Sequence, residues 1–179
     1  MDIYKLKWTS LQAKIFSFLC ARAGEKLSQR EIAIKLEVSP TAVANALTRL
    51  KDEELINIEK VKNINFVSFN RDGKKALKLK ITENLRNIYL SGLEEYLEVQ
   101  FAGATVILFG SYARGEDTNT SDIDLSVVGR KNKLVKLEEF EKILNRKINI
   151  NFYESFKKIH KHLLNNILNG IILAGSVEL

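Results

Sequence analysis

The most constraining feature of this sequence is an apolar strand followed at once by a glycine turn and then by a pair of acids. Residues 104–109 read ATVILF, and Gly110 and Ser111 follow directly. Asp122 comes eleven residues after Ser111, and from there the segment DIDLSV alternates polar and apolar side chains. Alternation of this kind is typical of a strand with one buried face, so this part of the chain must build a β-sheet.

The two acids are predicted to share one face of the second strand. Side chains alternate along a strand, so Asp122 and Asp124 point the same way while Ile123 points into the core. Neighbouring carboxylates repel each other unless a cation neutralises them, and such oxygen ligands suit Mg²⁺. Gly110 and Ser111 offer backbone amides and a hydroxyl to an anionic phosphate tail. The pattern therefore predicts a metal-bridged triphosphate site, and the alternative is a loop of merely solvated carboxylates.

Three short motifs carry a family resemblance: GS at 110–111, ARG at 113–115 and SDIDL at 121–125. Together they resemble the signature of the DNA polymerase β nucleotidyltransferase superfamily, in its minimal form, over about residues 101–179. The resemblance implies a mixed sheet flanked by helices and transfer of a nucleoside monophosphate from an NTP, with ATP expected, to a hydroxyl. It also implies catalytic and Mg²⁺-binding roles for Asp122 and Asp124, and nucleotide binding by Gly110, Ser111 and Arg114.

Some relatives in the minimal group act in toxin–antitoxin pairs and modify a partner protein with AMP. A protein hydroxyl is therefore as reasonable an acceptor as a nucleic acid or a small molecule. The family also needs a third carboxylate on the next strand, which here reads KININFYE. Asn149 is the best match to that position, and an amide can neither carry negative charge nor accept a proton as a base.

Glu154 lies on the same segment but out of phase with Asn149, so it could serve only if the strand bends or ends before it. The sequence therefore leaves three functions open. The first is a Mg²⁺-dependent nucleotidyltransferase coupled to a DNA-binding domain. The second is a catalytically weak or inactive nucleotide-sensing transcription regulator, and the third is a scaffold that makes only protein contacts.

The first seventy residues indicate three helices and a hairpin. Thr9 precedes a helical apolar repeat, the S-x-x-E pattern at Ser28 opens a second helix, and Ser39 with Pro40 opens a third. Residues 55–70 then predict two strands joined at Lys62, with the inner face formed by Ile56, Ile58, Ile64 and Phe66.

This order resembles the winged helix-turn-helix family over about residues 8–70. The resemblance implies that Thr41, Asn45 and Arg49 on the third helix face a major groove while Lys62 on the wing touches the DNA backbone or the minor groove. We expect duplex affinity to fall with added salt and with Arg49→Ala. A winged helix used only for protein contacts is the alternative.

An apolar stripe continues from Asp72 to Leu97 at helical spacing, interrupted by Gly92, and predicts a connecting helix or helix pair. The expected organisation is α+β, with a winged helix over 1–70, a helical connector over 71–100 and a nucleotidyltransferase domain over 101–179. The stripe must be covered, either by intramolecular packing or by a second copy in a homodimer through residues 72–100.

Composition sets the remaining expectations. The chain has 179 residues, 45% of them hydrophobic, and a single proline, which excludes disordered and collagenous classes. Its net charge of +6 permits a polyanionic partner without requiring one. The lone Cys20, the lack of a membrane-length apolar run and the absence of an apolar signal core at the start predict a cytoplasmic protein.

Overall fold

The structure, a computed structural model, describes residues 7–178. The chain divides into two compact units between Lys80 and Ile81. Apolar side chains of each unit form a core of their own. The division falls within the predicted connector, inside helix α4 (Lys74–Leu90).

The first unit is a helical domain with a small antiparallel sheet. Its helices are α1 (Ser10–Ala21), α2 (Gln29–Leu36) and α3 (Pro40–Asp52), and its strands are β1 (Leu27–Ser28), β2 (Ile56–Val61) and β3 (Ile64–Phe69). The strand order is β1-β3-β2. Three helices followed by a β2–β3 hairpin form the predicted winged helix-turn-helix.

Side-chain caps fix where these helices begin. The hydroxyl oxygens of Thr9, Ser28 and Ser39 each accept a hydrogen bond from the backbone amide three residues later, at 3.3, 3.2 and 3.1 Å. Each bond satisfies an amide that the first turn leaves without a partner. The helix starts predicted from the sequence are therefore confirmed.

The inner face of the hairpin differs from the prediction. Ile64 is 52% exposed, whereas Val67 and Phe69 are 0% and 3% exposed and lie in the core. The register explains this, because Val67 pairs with Ile58 and Phe69 pairs with Ile56, and directly opposite residues share a face. The assignment of Ile64 and Phe66 to the inner face was wrong by one residue in phase.

The second unit is a mixed sheet with helices. After α4 it contains α5 (Leu93–Gln100), β4 (Thr105–Phe109), α6 (Gly110–Arg114), β5 (Ile123–Val128), α7 (Glu138–Leu144), β6 (Ile148–Tyr153), α8 (Lys161–Leu168) and β7 (Ile171–Ala174). The strand order is β6-β5-β4-β7, with β5 and β6 parallel and β4 antiparallel to both its neighbours. All five residues of β4 are buried, as expected for a central strand covered on both faces.

The connector is a helix pair. Gly92, with φ +75°, separates α4 from α5, and this left-handed conformation is one that glycine adopts without a steric penalty. Across residues 7–178, the structure contains no helix that is both long enough and apolar enough to cross a membrane.

Candidate functional site

The site is built where β4 ends against the beginning of β5. Phe109 pairs with Asp124 across the two strands, and Gly110 follows with φ +77°. A Cβ atom at Gly110 would lie only 2.6 Å from Oδ2 of Asp124. Both the backbone conformation and this close approach require glycine, so the backbone of the turn lies directly against the carboxylate.

The third strand brings Asn149 to the two acids. In the parallel β5–β6 ladder Asp124 is the partner of Asn149. The Nδ2 group of Asn149 donates a hydrogen bond to Oδ2 of Asp122 at 3.1 Å and lies 3.5 Å from Oδ1 of Asp124. The structure thus gathers both carboxylates around one nitrogen atom. Asp122 and Asn149 are exposed and Asp124 is half-buried, so the group is open to a ligand.

The donor set is compatible with a magnesium ion. Asp122 and Asp124 supply carboxylate oxygens and Asn149 carries an amide, which are the ligand types that Mg²⁺ takes in proteins. Among residues 7–178 no group of three or more acidic, histidine or cysteine side chains could hold a metal ion. The third side chain at this position, Asn149, is neutral and donates its amide N–H to the carboxylates.

Glu154 does not supply the missing charge. Tyr153, its neighbour, pairs with Val128 at the far end of the ladder. Glu154 lies five positions after Asn149 and just beyond the end of β6, which corresponds to about 16 Å along an extended chain. Glu154 instead pairs with Lys158, whose hydrogen bond lowers the pKa of that carboxyl. The register therefore places Asn149, and not Glu154, beside the two acids.

Ser111 and Arg114 are the second and the last residue of α6. Ser111 is half-buried beside Gly110. The Arg114 guanidinium donates to Oε2 of Glu116 at 2.8 Å and to Oδ1 of Asn166 on α8 at 3.0 Å. Arg114 therefore links α6 to α8, and nucleotide binding by Ser111 and Arg114 stays a prediction.

A buried polar cluster next to the site was missed by sequence reasoning. Asn84 and Asp117 are 4% and 1% exposed, and Nδ2 of Asn84 donates to Oδ1 of Asp117 at 2.7 Å. Burial raises the pKa of the Tyr112 hydroxyl, and the nearby charge of Asp117 raises it further. The available signal was Asn84 itself, a polar residue one turn before Ile88 on an apolar helical stripe.

The predicted DNA-contacting residues fall into two groups. Thr41 and Asn45 are exposed on one face of α3, and Lys62 is exposed at the hairpin turn with φ +54°. Arg49 is half-buried and bonds through Nε to Oε1 of Glu53 at 3.0 Å. The carboxylate of Glu53 also accepts from Trp8 and Lys75, so the structure places Arg49 in a polar network of its own domain.

Two family models match this chain. Residues 90–174 match the nucleotidyltransferase domain family. Residues 19–63 match the bacterial regulatory proteins of the gntR family. The first match contains the complete group of Gly110, Asp122, Asp124 and Asn149, and the second contains α2 and α3.

Individual relatives were also found. The chain is 42% identical over 70 residues to a Methanocaldococcus jannaschii protein provisionally named a protein adenylyltransferase, covering 36% of this chain and 72% of that one. Among solved structures, the zinc-responsive MarR family member ZitR of Lactococcus lactis is 27% identical with a TM-score of 0.40, covering 54% of this chain and 65% of ZitR. The S. aureus MepR–DNA complex is 18% identical with a TM-score of 0.40, covering 55% and 82%. The chain thus spans slightly less than two thirds of ZitR.

Proposed function

The chain belongs to the nucleotidyltransferase domain family and carries a helix-turn-helix domain, and we propose that it transfers a nucleoside monophosphate from an NTP to an acceptor hydroxyl with Mg²⁺ bound at Asp122 and Asp124. ATP is the proposed nucleotide. The N-terminal domain is proposed to bind duplex DNA through Thr41, Asn45 and Lys62.

One observation carries the enzymatic proposal. Asp122 and Asp124 both lie within 3.5 Å of the same nitrogen atom of Asn149, and the backbone of Gly110 lies against Asp124. Such a pair of acids beside a glycine turn can bind a cation and a phosphate tail together.

The residues would divide the chemistry as follows. Gly110 leaves space for the phosphates, and Ser111 would donate its hydroxyl proton to a phosphate oxygen. Asp122 and Asp124 would hold Mg²⁺, which supplies positive charge against the charge that develops on the phosphates. Asn149 would hold the two carboxylates in place through its amide.

The transfer itself forms a bond between the acceptor oxygen and the α-phosphorus and breaks the bond from that phosphorus to the bridging oxygen. Pyrophosphate leaves, and the acceptor proton passes to solvent because Asn149 cannot take it. General-base catalysis contributes about 10²–10⁴-fold to rate. We therefore expect turnover well below that of a site with three carboxylates.

A second function is favoured by the same asparagine. If Asn149 removes turnover altogether, the domain senses a nucleotide and the chain is a nucleotide-responsive DNA-binding regulator. The provisional name of the M. jannaschii relative supports a protein hydroxyl as the acceptor in the enzymatic case.

The distinguishing experiment incubates the full chain with Mg²⁺ and each labelled NTP in turn. Pyrophosphate release or labelled product that Asp122→Asn lowers at least about 100-fold supports the enzyme. Asp72→Asn, a change of the same type at an exposed acid of the other unit, is the matched control and should leave activity unchanged. Nucleotide binding without turnover supports the sensor, and absence of binding contradicts both.

A homodimer through residues 72–100 is a further part of the proposal. Leu90 and Val99, on α4 and α5, are 72% and 70% exposed, which leaves apolar surface for a second copy. Light scattering should give twice the chain mass at micromolar concentration. A monomer mass under these conditions contradicts the dimer.

A further inference from the structure

A single amide on α4 holds two separate parts of the candidate site. Nδ2 of Asn84 donates one hydrogen bond to the backbone carbonyl of Tyr112 at 2.8 Å and another to Oδ1 of Asp117 at 2.7 Å. Tyr112 belongs to α6, two residues after Gly110. Asp117 belongs to the segment 115–122 that leads to Asp122. Both N–H groups of the amide are therefore used, one for each part.

Both parts are short, and each takes one of its hydrogen bonds from Asn84. Helix α6 has only five residues, and the carbonyl of Tyr112 otherwise accepts a long 3.4 Å bond from the amide of Gly115. Asp117 is 1% exposed, and a buried carboxylate without hydrogen-bond donors is costly. Removing the donors of Asn84 takes one hydrogen bond from the backbone carbonyl of Tyr112 and one from a buried carboxylate oxygen of Asp117.

We propose that Asn84 is a positioning residue of the nucleotide site, which fixes the Gly110–Ser111 turn and the segment carrying Asp122 at their mutual spacing. This inference rests on the proposed function. Asn84 touches neither nucleotide nor metal ligands, and it acts through the α6 backbone and through Asp117. A shift of about 1 Å in a binding group can cost about 100-fold even when the mutated residue lies away from the chemistry.

Asn87 provides a matched control on the same helix. It lies three residues after Asn84 and hydrogen-bonds to the hydroxyl group of Tyr112. It therefore contacts the same tyrosine through the side chain and not through the backbone of α6. Replacing Asn87 with leucine changes packing near Tyr112 while the bonds from Asn84 stay in place.

The experiment measures binding of a non-hydrolysable ATP analogue with Mg²⁺ to the full chain by calorimetry, together with the melting temperature of each variant. We expect Asn84→Leu and Asn84→Asp to weaken nucleotide binding at least about tenfold. Asn87→Leu should change nucleotide binding less than about twofold, even if it lowers the melting temperature as much as the Asn84 variants do. Amide exchange in residues 110–122 should accelerate in the Asn84 variants and not in Asn87→Leu.

A double variant separates positioning from folding. Asn84→Asp combined with Asp117→Asn exchanges donor and acceptor, so affinity should exceed that of Asn84→Asp alone at least about threefold. Wild-type affinity in both Asn84 single variants refutes the inference and leaves the proposed function standing. Equal losses in Asn84→Leu and Asn87→Leu also refute it. A wild-type chain that binds no nucleotide refutes the inference and the proposed function together.

Discussion

Replacing Asn149 with aspartate is the sharpest test of the charge balance in this site. The amide nitrogen lies 3.1 Å from Asp122 and 3.5 Å from Asp124, so Asn149→Asp puts a negatively charged oxygen where a donor stood. Two unit charges at these distances repel by about 1 kcal/mol each at the dielectric constant of water, which gives a lower bound because Asp124 is half-buried. The two hydrogen bonds are lost as well.

The expected result depends on magnesium. About 1 kcal/mol shifts the melting temperature of a domain of roughly 100 residues by about 4–8 °C, so we expect a fall of about 10 °C in chelator. Saturating Mg²⁺ should restore the wild-type value, because a cation between three carboxylates replaces repulsion with attraction. Pyrophosphate release should rise about 100-fold, since a carboxylate can accept the acceptor proton.

Asn151→Asp is the matched control. Asn151 is exposed, lies two residues further along β6 and pairs with Ser126 rather than with an acid. Thermal melts with chelator and with Mg²⁺, and a pyrophosphate assay, should show no magnesium-dependent change in this control. Equal behaviour of the two variants, or an Asn149→Asp protein that melts like the wild type in chelator, would refute the reasoning.

Further predictions concern other parts of the molecule. Gly110→Ala should abolish Mg²⁺–nucleotide binding measured by calorimetry. Gly103→Ala is the control, because Gly103 has φ +81° and no atom within 4 Å of the added Cβ, so this change should lower stability alone. Equal nucleotide binding by the two variants contradicts the prediction. Lys62→Ala should reduce the salt slope of duplex binding by about one, and an unchanged slope excludes a phosphate contact. Burial raises the pKa of Glu53, but its hydrogen bonds to Lys75, Arg49 and Trp8 outweigh this and lower it below 4.5. Glu53→Gln should therefore lower the free energy of unfolding of the N-terminal unit by about 1 kcal/mol near pH 7. Denaturant titrations of the variant and the wild type should show this difference becoming smaller as the pH falls below 4.5. A difference that stays constant with pH contradicts the prediction.

Local chemistry was predictable from the sequence. The caps at Thr9, Ser28 and Ser39 were identified by residue type and spacing, because a cap bonds to an amide only three residues away. The shared face of Asp122 and Asp124 follows from strand alternation in the same way. The sequence also identified Gly110 as part of a turn. It did not identify Oδ2 of Asp124 as the atom that lies too close to this position for a side chain.

Pairing between distant segments was less predictable. The inner face of the wing was assigned one residue out of phase, since Val67 and Phe69 turn inward only because they pair with Ile58 and Ile56. A strand that alternates apolar side chains on both faces gives no local signal of which face the helices cover. Only the register with neighbouring elements decides it.

The sequence by itself determined the two-part architecture, the helix starts and the acids and glycine turn of the candidate site, because these depend on short spacings and on side-chain chemistry. Only the tertiary structure decided that Asn149, and not Glu154, completes the group of Asp122 and Asp124. It also decided that Asn84 reaches both α6 and Asp117 from a helix about thirty residues earlier in the chain. Strand register and burial arise from contacts between segments far apart in sequence, and those contacts set which polar groups meet.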